Sequence, residues 1–506
     1  MKKVLKSIVK LILCVVLVSL PVHAADIDTD VVIVGAGGAG LSAALTASQG
    51  GLKVVLLEKD VTVGGTTRFA EGVFAVESEM QRRNWVDLTK DQVFKQEMQE
   101  TRWGTNASLI RRFHNESAKI IDWLLDLGVK FRGPESNFFG NNPTWHLVDG
   151  MARSLISNFQ AKVTADKNIT LMLETPGMEL ITKNGAVVGV VAENEDGKFN
   201  INAKHGVIIA TGGFADSPEM IKKHVGLENV SVVVGLKRTG DGINMAMAAG
   251  AVTEGLGLMH NLAVKKVAQG GNAIAELPLS MLANQPRNVW INSNGERFCD
   301  EWIAFDFASG SNAIKRENAV WSIFDENLRN YYMTKGTDAG IGVIGEAMTK
   351  MTNFDELWNN AVKANDPYIV KGSLKDIAAK SGIPYEALQK TMNDYNANAA
   401  KNIDPDFAKD RQWLQQFDLS KPLYAIRMEE IAMTTLGGIR VNKELQALDK
   451  DLKPIPGLYV TGNDVGGLFV GSYSLHSASG TTFGFAIGSG RMAVTDILVK
   501  MGKAEY

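Results

Sequence analysis

Asp30-Val31-Val32-Ile33-Val34-Gly35-Ala36-Gly37-Gly38-Ala39-Gly40-Leu41-Ser42-Ala43-Ala44-Leu45 sets a β-branched run, a glycine turn and a row of good helix formers end to end. The run reads as a buried parallel strand. In the turn, Gly35 permits the tight reversal, Gly37 lets the backbone approach a pyrophosphate, and Gly40 allows the helix to pack closely. The pyrophosphate then lies at the positive end of the helix. A second strand, Lys53 to Leu57, ends in Glu58, 18 residues after Gly40, the interval at which a carboxylate meets an adenosine ribose. A lone glycine fingerprint is weak. Strand, glycines, helix, strand and terminal carboxylate in order predict an α/β dinucleotide site.

The residues just beyond Glu58 select the dinucleotide. Gly64-Gly65-Thr66-Thr67-Arg68 and then Gly72 include small and hydroxyl-bearing residues that suit a chain running along an extended FAD diphosphate and ribityl. No second Gly-x-Gly-x-x-Gly comes after another strand-like run, so a separate NAD(P)H domain is not visible and FAD is the expected cofactor.

The rest of the chain agrees with a large globular protein. Its 506 residues are 45% hydrophobic and 22% charged, with 50 Gly and 13 Pro, which excludes disorder, collagen and coiled coil. The length suggests about three domains. Mean hydropathy is −0.04 and only one long apolar run occurs, which excludes a polytopic membrane protein. A net charge of −3 argues against nucleic acid, whose phosphates need a basic surplus. The apolar run, Leu11 to Leu20, comes after Lys2, Lys3, Lys6 and Lys10 and precedes Pro21-Val22-His23-Ala24. This pattern reads as a secretory signal peptide cleaved after Ala24, leaving a periplasmic protein with no stable membrane anchor; a single-pass anchor is the alternative. Of two cysteines, Cys14 leaves with that segment and Cys299 remains alone. No disulfide, thiolate metal site or Cys-x-x-Cys-His haem attachment can form within the mature chain.

The same order of motifs resembles the flavoprotein superfamily of fumarate reductase, flavocytochrome c and 3-ketosteroid dehydrogenase, on its soluble periplasmic ene-reductase side (methacrylate or acrylate reductase-like). Val207-Ile208-Ile209-Ala210-Thr211-Gly212-Gly213-Phe214, Thr239-Gly240-Asp241-Gly242, Gly457-Leu458-Tyr459-Val460-Thr461-Gly462-Asn463 and Gly480-Thr481-Thr482-Phe483-Gly484 carry the likeness over residues 30–500. It implies a Rossmann-like FAD-binding domain with an inserted α+β capping domain. The expected division is 25–258 for the first part of the FAD domain, 259–433 for the cap and 434–506 for the second part. Within the cap, Ser373 to Ala399 reads as two amphipathic helices with Pro384 near the start of the second. The resemblance also implies FAD contacts from Gly35, Gly37, Ala39, Gly40, Glu58, Thr66, Thr67, Gly72, Gly177, Asp241, Thr434, Asn463, Thr482 and Phe483. Histidine is absent from Gly64 to Gly72, where covalent members attach FAD, so non-covalent FAD is expected.

The substrate side departs from the dicarboxylate-reducing members. Their proton-donating arginine lies just beyond an Arg-Phe-x-x-Glu stretch; here that stretch is Arg297-Phe298-Cys299-Asp300-Glu301 and the arginine's place falls to Phe305. Their other carboxylate-clamping positions hold Ser477, Leu262 and Met433. A buried dianion would lack partners, at a cost of several kcal/mol per charge, so fumarate is not the expected substrate. Ser472-Tyr473 stands where the steroid branch places a tyrosine that bonds the substrate carbonyl, and His476 on the same loop could donate a proton. Arg287 lies near a relay arginine and could bind one carboxylate; His260 could replace the missing histidine; Lys265-Lys266 reads as a solvated pair. The implied reaction is two-electron reduction of an activated C=C bond, such as that of a small 2-enoate (acrylate or methacrylate) or a larger neutral enone. A compartment without NADH and a chain without haem imply a separate c-type cytochrome as electron donor. A 3-ketosteroid-type dehydrogenase and a non-catalytic flavin relay are the alternatives.

Overall fold

The computed structural model describes residues 26–506 apart from 137–139, 229, 269–272, 341, 343 and 344; the signal segment expected over 1–24 lies outside the described residues. The first strand, Ile27–Val34, is central to the larger sheet. Its Val31 to Val34 pair in parallel, residue for residue, with Val54–Leu57 on one side and with Gly206 to Ile209 of Gly197–Ile209 on the other. Ile169–Met172 and Pro454–Val460 extend the parallel array outward. Strands buried on both faces need apolar side chains throughout, and Val31, Val32, Ile33, Val207, Ile208 and Ile209 are fully buried. The glycine turn feeds the helix Gly38–Gln49, which packs against the last helix, Thr481–Lys500. Ser42 donates its hydroxyl to the Ile487 carbonyl at 2.7 Å across that contact, fixing the last helix beside the turn.

A second sheet is antiparallel. Leu423–Thr435 pairs with Met259–Lys265, Val320–Phe324 and Ile369–Gly372, and Val289–Asn292 completes the order. It has its own core, in which Trp290, Phe324, Tyr332, Phe354 and Tyr424 are nearly inaccessible. The two helices read over Ser373 to Ala399 form as Leu374–Ser381 and Tyr385–Ala399; the first is opened by a Ser373/Asp376 capping box and the second starts just after Pro384. A small third sheet, Gly72–Phe74, Trp145–Val148 and Phe131–Glu135, lies beside the start of the last helix, where Phe74 N–H donates to the Gly480 carbonyl at 3.2 Å.

Lys265 departs from expectation. Instead of standing in solvent it is buried, with Nζ 2.7 Å from Asp366 and 3.2 Å from Glu276. A buried ammonium is tolerated only when paired, and two carboxylates distant in sequence supply the pairing.

Candidate active site

The cofactor cradle is a cleft at the carboxyl ends of the parallel strands, lined by Gly35, Gly37, Ala39, Glu58, Thr66, Thr67, Gly177, Asp241 and Asn463 among the residues the sequence singles out. Gly35 has φ +103° and an added Cβ would lie 2.3 Å from the Ala210 carbonyl oxygen, so no other residue fits the reversal. Gly40 stands behind the lining, where a Cβ would fall 1.8 Å from the Gly35 oxygen. Gly37, the N-cap of the helix, has open space where its Cβ would stand, as a bound pyrophosphate requires. Glu58 accepts the Ala36 N–H and the Asp60 N–H at 2.9 Å each, leaving lone pairs for a ribose. Burial raises the Glu58 carboxyl, and those two bonds pull it back. These residues fit FAD, which supplies hydride chemistry when bound.

Two residues that sequence reasoning missed hold this cleft in shape. The Asp464 carboxylate is buried and accepts the N–H groups of Thr211, Gly212 (3.1 Å) and Gly213 (2.8 Å), and the Thr211 hydroxyl (3.0 Å). Arg238 grips Asp216 in a bidentate pair (2.7 and 3.1 Å), donates to the Met433 carbonyl at 2.5 Å and reaches Thr66 Oγ1 at 3.5 Å. Burial would raise the Asp216 carboxyl, but the Arg238 guanidinium outweighs it and holds the group below the usual range. Both residues adjoin recognised motifs: Arg238 directly precedes Thr239-Gly240-Asp241-Gly242, and Asp464 comes directly after Asn463.

Besides Gly40, four expected contacts fall outside the lining of that cleft. Gly72 is a packing glycine, since a Cβ there would meet the Trp145 indole at 2.4 Å. Thr434 acts one residue back, accepting the Asn463 side-chain N–H at 2.8 Å. Thr482 and Phe483 belong to the first turn of the last helix, Phe483 as a buried core residue.

The substrate side lies where the cap meets the loop before the last helix. Tyr473 is buried, and its hydroxyl oxygen accepts the Gly480 N–H at 2.9 Å. Burial pushes its phenol up to about 12, so it stays neutral. Its ring stacks on His260 of the cap strand at 4.7 Å, and His260 stacks on Phe307 at 5.3 Å. His476 stacks on Trp302 at 5.8 Å, with Nε2 3.5 Å from Asp306, and keeps one-third of its side chain exposed. Ser477 donates to Glu100 at 2.6 Å. Burial raises the Glu100 carboxyl; the Ser477 bond opposes this, Glu97 and Asp306 add to it, and His476 opposes it. Phe305 is buried at the end of a short helical turn, Glu301–Phe305, facing Trp413 at 5.3 Å. The Arg-Phe-x-x-Glu stretch anchors that turn: Arg297 pairs with Glu301 (2.8 Å) and Asp404 (2.9 Å), and Lys409 pairs with Glu301 (3.1 Å), all buried.

Tyr473 and His476 both meet the cap, Tyr473 through His260 and His476 through Trp302 and Asp306, whereas Arg287 contacts neither. Its guanidinium bonds Asp338 at 2.9 Å and the Gln412 carbonyl at 2.8 Å, and lies over the Tyr331 and Trp413 rings at 4.9 and 5.0 Å. A guanidinium so committed is a strut of the cap, not a ligand for substrate.

A doubly wound cradle with a flavin-type ribose carboxylate, capped by a second sheet and its helices, defines an FAD-dependent oxidoreductase acting on carbon–carbon bonds. Residues 30–479 match the family described as FAD binding domain, and the chain belongs to it. A vinyl phenol reductase of Lactiplantibacillus plantarum is 32% identical over 472 residues, covering 91% of this chain and 94% of that one. A fumarate reductase (cytochrome) of Shewanella frigidimarina is 26% identical over 452 residues, covering 87% of this chain and 72% of that one. The solved 3-ketosteroid Δ1-dehydrogenase of Sterolibacterium denitrificans shares the fold, with a TM-score of 0.75 at 18% identity over 94% of this chain and 100% of that one.

Proposed function

We propose that this chain reduces the C=C bond of a neutral arylalkene bearing a ring hydroxyl, the hydroxystyrene class. The observation that carries this reading is an inversion of charge. Phe305 and Ser477 stand where the dicarboxylate reducers keep arginines, Ser477 is bonded to Glu100, and Asp306 faces His476. A substrate carboxylate entering that corner meets the Glu100 carboxylate: at a separation of about 5–6 Å and an effective dielectric near 20, the ionised pair costs about 3 kcal/mol. The rings of Trp302, Phe305, Phe307 and Tyr473 instead suit a planar conjugated substrate, each aromatic contact contributing about 0.5–1.5 kcal/mol beyond its area. The vinyl phenol reductase whose match spans nearly the whole of both chains supports the same class.

FAD, held non-covalently because Gly64 to Gly72 offers no histidine, supplies the hydride. The protein supplies orientation and a proton. Tyr473 fixes one wall, and His476, one-third exposed and 3.5 Å from Asp306, gives a proton to the second carbon and regains it from solvent. Electrons arrive from a separate c-type cytochrome outside the cytoplasm. The basic and apolar start of the sequence supports that location, and the lack of a haem motif supports a separate carrier.

The test is anaerobic. The purified flavoprotein is reduced with dithionite, and reoxidation is followed by flavin absorbance as 4-vinylphenol, a neutral enone, cinnamate, methacrylate, acrylate, fumarate or a 3-ketosteroid is added. Fastest reoxidation by 4-vinylphenol with fumarate inert is expected. Fastest reoxidation by acrylate or methacrylate would return the substrate to the small enoates, and a fast fumarate reaction would overturn the charge argument.

A further inference from the structure

His260 is stacked between Tyr473 and Phe307 but neither carries the proton nor fixes the cofactor. It sits in the cap strand Met259–Lys265, directly across the sheet from Thr434, which bonds Asn463 in the cofactor cleft. That chain of contacts links the imidazole to the cofactor cleft through Thr434 and Asn463. The residue is 6% exposed, and its Nε2 is buried without a hydrogen-bond partner among the described residues. Leaving a buried polar atom unpaired is costly, and such atoms in native structures call for an explanation. The ring cannot turn freely to find one, because its faces are stacked on Tyr473 and Phe307. A partner must approach in the ring plane. Among the described residues no acid pairs with the ring, and burial holds the imidazole down to about 4, so it is neutral at ordinary pH. A neutral ring nitrogen suits an uncharged hydroxyl better than an ammonium or a second acid.

We propose that His260 is a specificity-determining residue whose Nε2 receives the hydroxyl of the arylalkene, the conjugated ring lying in the aromatic wall beside Tyr473 and Phe307. This rests on the hydroxystyrene reading and deepens it. A site that hydrogen-bonds a substrate hydroxyl rejects the analogue lacking it far more strongly than a greasy pocket can select by size, because the buried partner is otherwise left unpaired. His260 thereby converts a general ene-reductase chamber into one that reads a phenol.

The experiment uses the FAD-loaded full chain. Wild type, His260→Phe and His260→Gln are compared in two ways. Oxidised enzyme is titrated with 4-ethylphenol and with ethylbenzene, following the flavin spectrum, and reduced enzyme is reoxidised by 4-vinylphenol, styrene and 4-methoxystyrene. Phenylalanine keeps the stack and removes the nitrogen; glutamine restores a polar atom near the Nε2 position. Wild type should favour 4-vinylphenol over both analogues by about 10⁴-fold. His260→Phe should cut that preference, and the preference for 4-ethylphenol over ethylbenzene, at least tenfold, the 4-vinylphenol rate falling further than the styrene rate. His260→Gln should retain most of both. An unchanged preference in His260→Phe, or equal wild-type rates with 4-methoxystyrene and 4-vinylphenol, would overturn the role of His260 alone. A wild-type flavin reoxidised by none of the arylalkenes would instead remove the hydroxystyrene reading, and this inference with it.

Discussion

Replacing Asp464 with asparagine tests how the cofactor cleft is held. The carboxylate gathers three consecutive backbone N–H groups, of Thr211, Gly212 and Gly213, and the Thr211 hydroxyl, which in turn accepts the Gly242 N–H at 3.1 Å. One residue thus ties the turn after strand Gly197–Ile209 to the start of the helix at Asp241. An asparagine oxygen has two lone pairs for that set, and its amide N–H₂ would face donors. At least one buried N–H is orphaned, at about 1–3 kcal/mol, and the surviving bonds lose their charge assistance. Together these give about 2–4 kcal/mol. If the turn relaxes when FAD is absent, the loss falls on binding, and at 1.4 kcal/mol per tenfold the FAD Kd rises about 30- to 700-fold. If the turn stays rigid, the same loss lowers the stability of both forms equally. The assay is therefore a pair: FAD titration of apoprotein by flavin fluorescence, and urea unfolding of apo and holo protein. A Kd within about threefold of wild type, together with unfolding free energies within about 0.5 kcal/mol in both forms, would refute the clamp.

Glu100→Gln should raise kcat/KM for cinnamate relative to 4-vinylphenol at least tenfold. The gain should be largest at high pH and vanish as pH falls through the raised Glu100 pKa, because there the wild-type carboxyl is already neutral. Arg287→Gln should lower the unfolding temperature while leaving kcat within about threefold, since it removes a partner of Asp338 and nothing at the substrate; a loss of about 10³ in kcat at unchanged stability would restore Arg287 to catalysis. His146 is buried, bonds the Thr144 carbonyl through Nδ1 and Ser78 through Nε2, and is held down to about 4 from 6.5 by burial. Its contribution is fully present above pH 6.5 and is lost as pH falls toward 4, because the unfolded chain takes up a proton that the folded one refuses. Relative to His146→Gln, wild type should lose about 2–3 kcal/mol of urea stability between about pH 7.5 and 4.5, and parallel curves would refute this.

The cofactor half of the site was legible because its constraints are local. Gly35, Gly40 and Glu58 answer to one another within some two dozen residues, and each residue type has one physical reason to be there. Arg238 and Asp464 answer to partners 22 and about 250 residues away, so adjacency to a motif is the only sign of them. Arg287 shows the converse failure: its register near a relay arginine suggests chemistry, but Asp338, Tyr331 and Trp413 from later in the chain claim the guanidinium first. The substrate side combines both problems. Loss of arginines at Phe305 and Ser477 is visible in the sequence and suggests a pocket with charge removed, hence a small monoanion or a larger neutral enone. The step that sequence cannot show is what moves in behind Ser477, namely a glutamate 377 residues earlier in the chain. Removing a cation and supplying an acid are different perturbations, since the first weakens an anion's binding and the second opposes it. On the proposed reading, that difference disfavours the carboxylate and leaves the neutral ring, and recognition turns on the unpaired nitrogen of His260 and not on a charge.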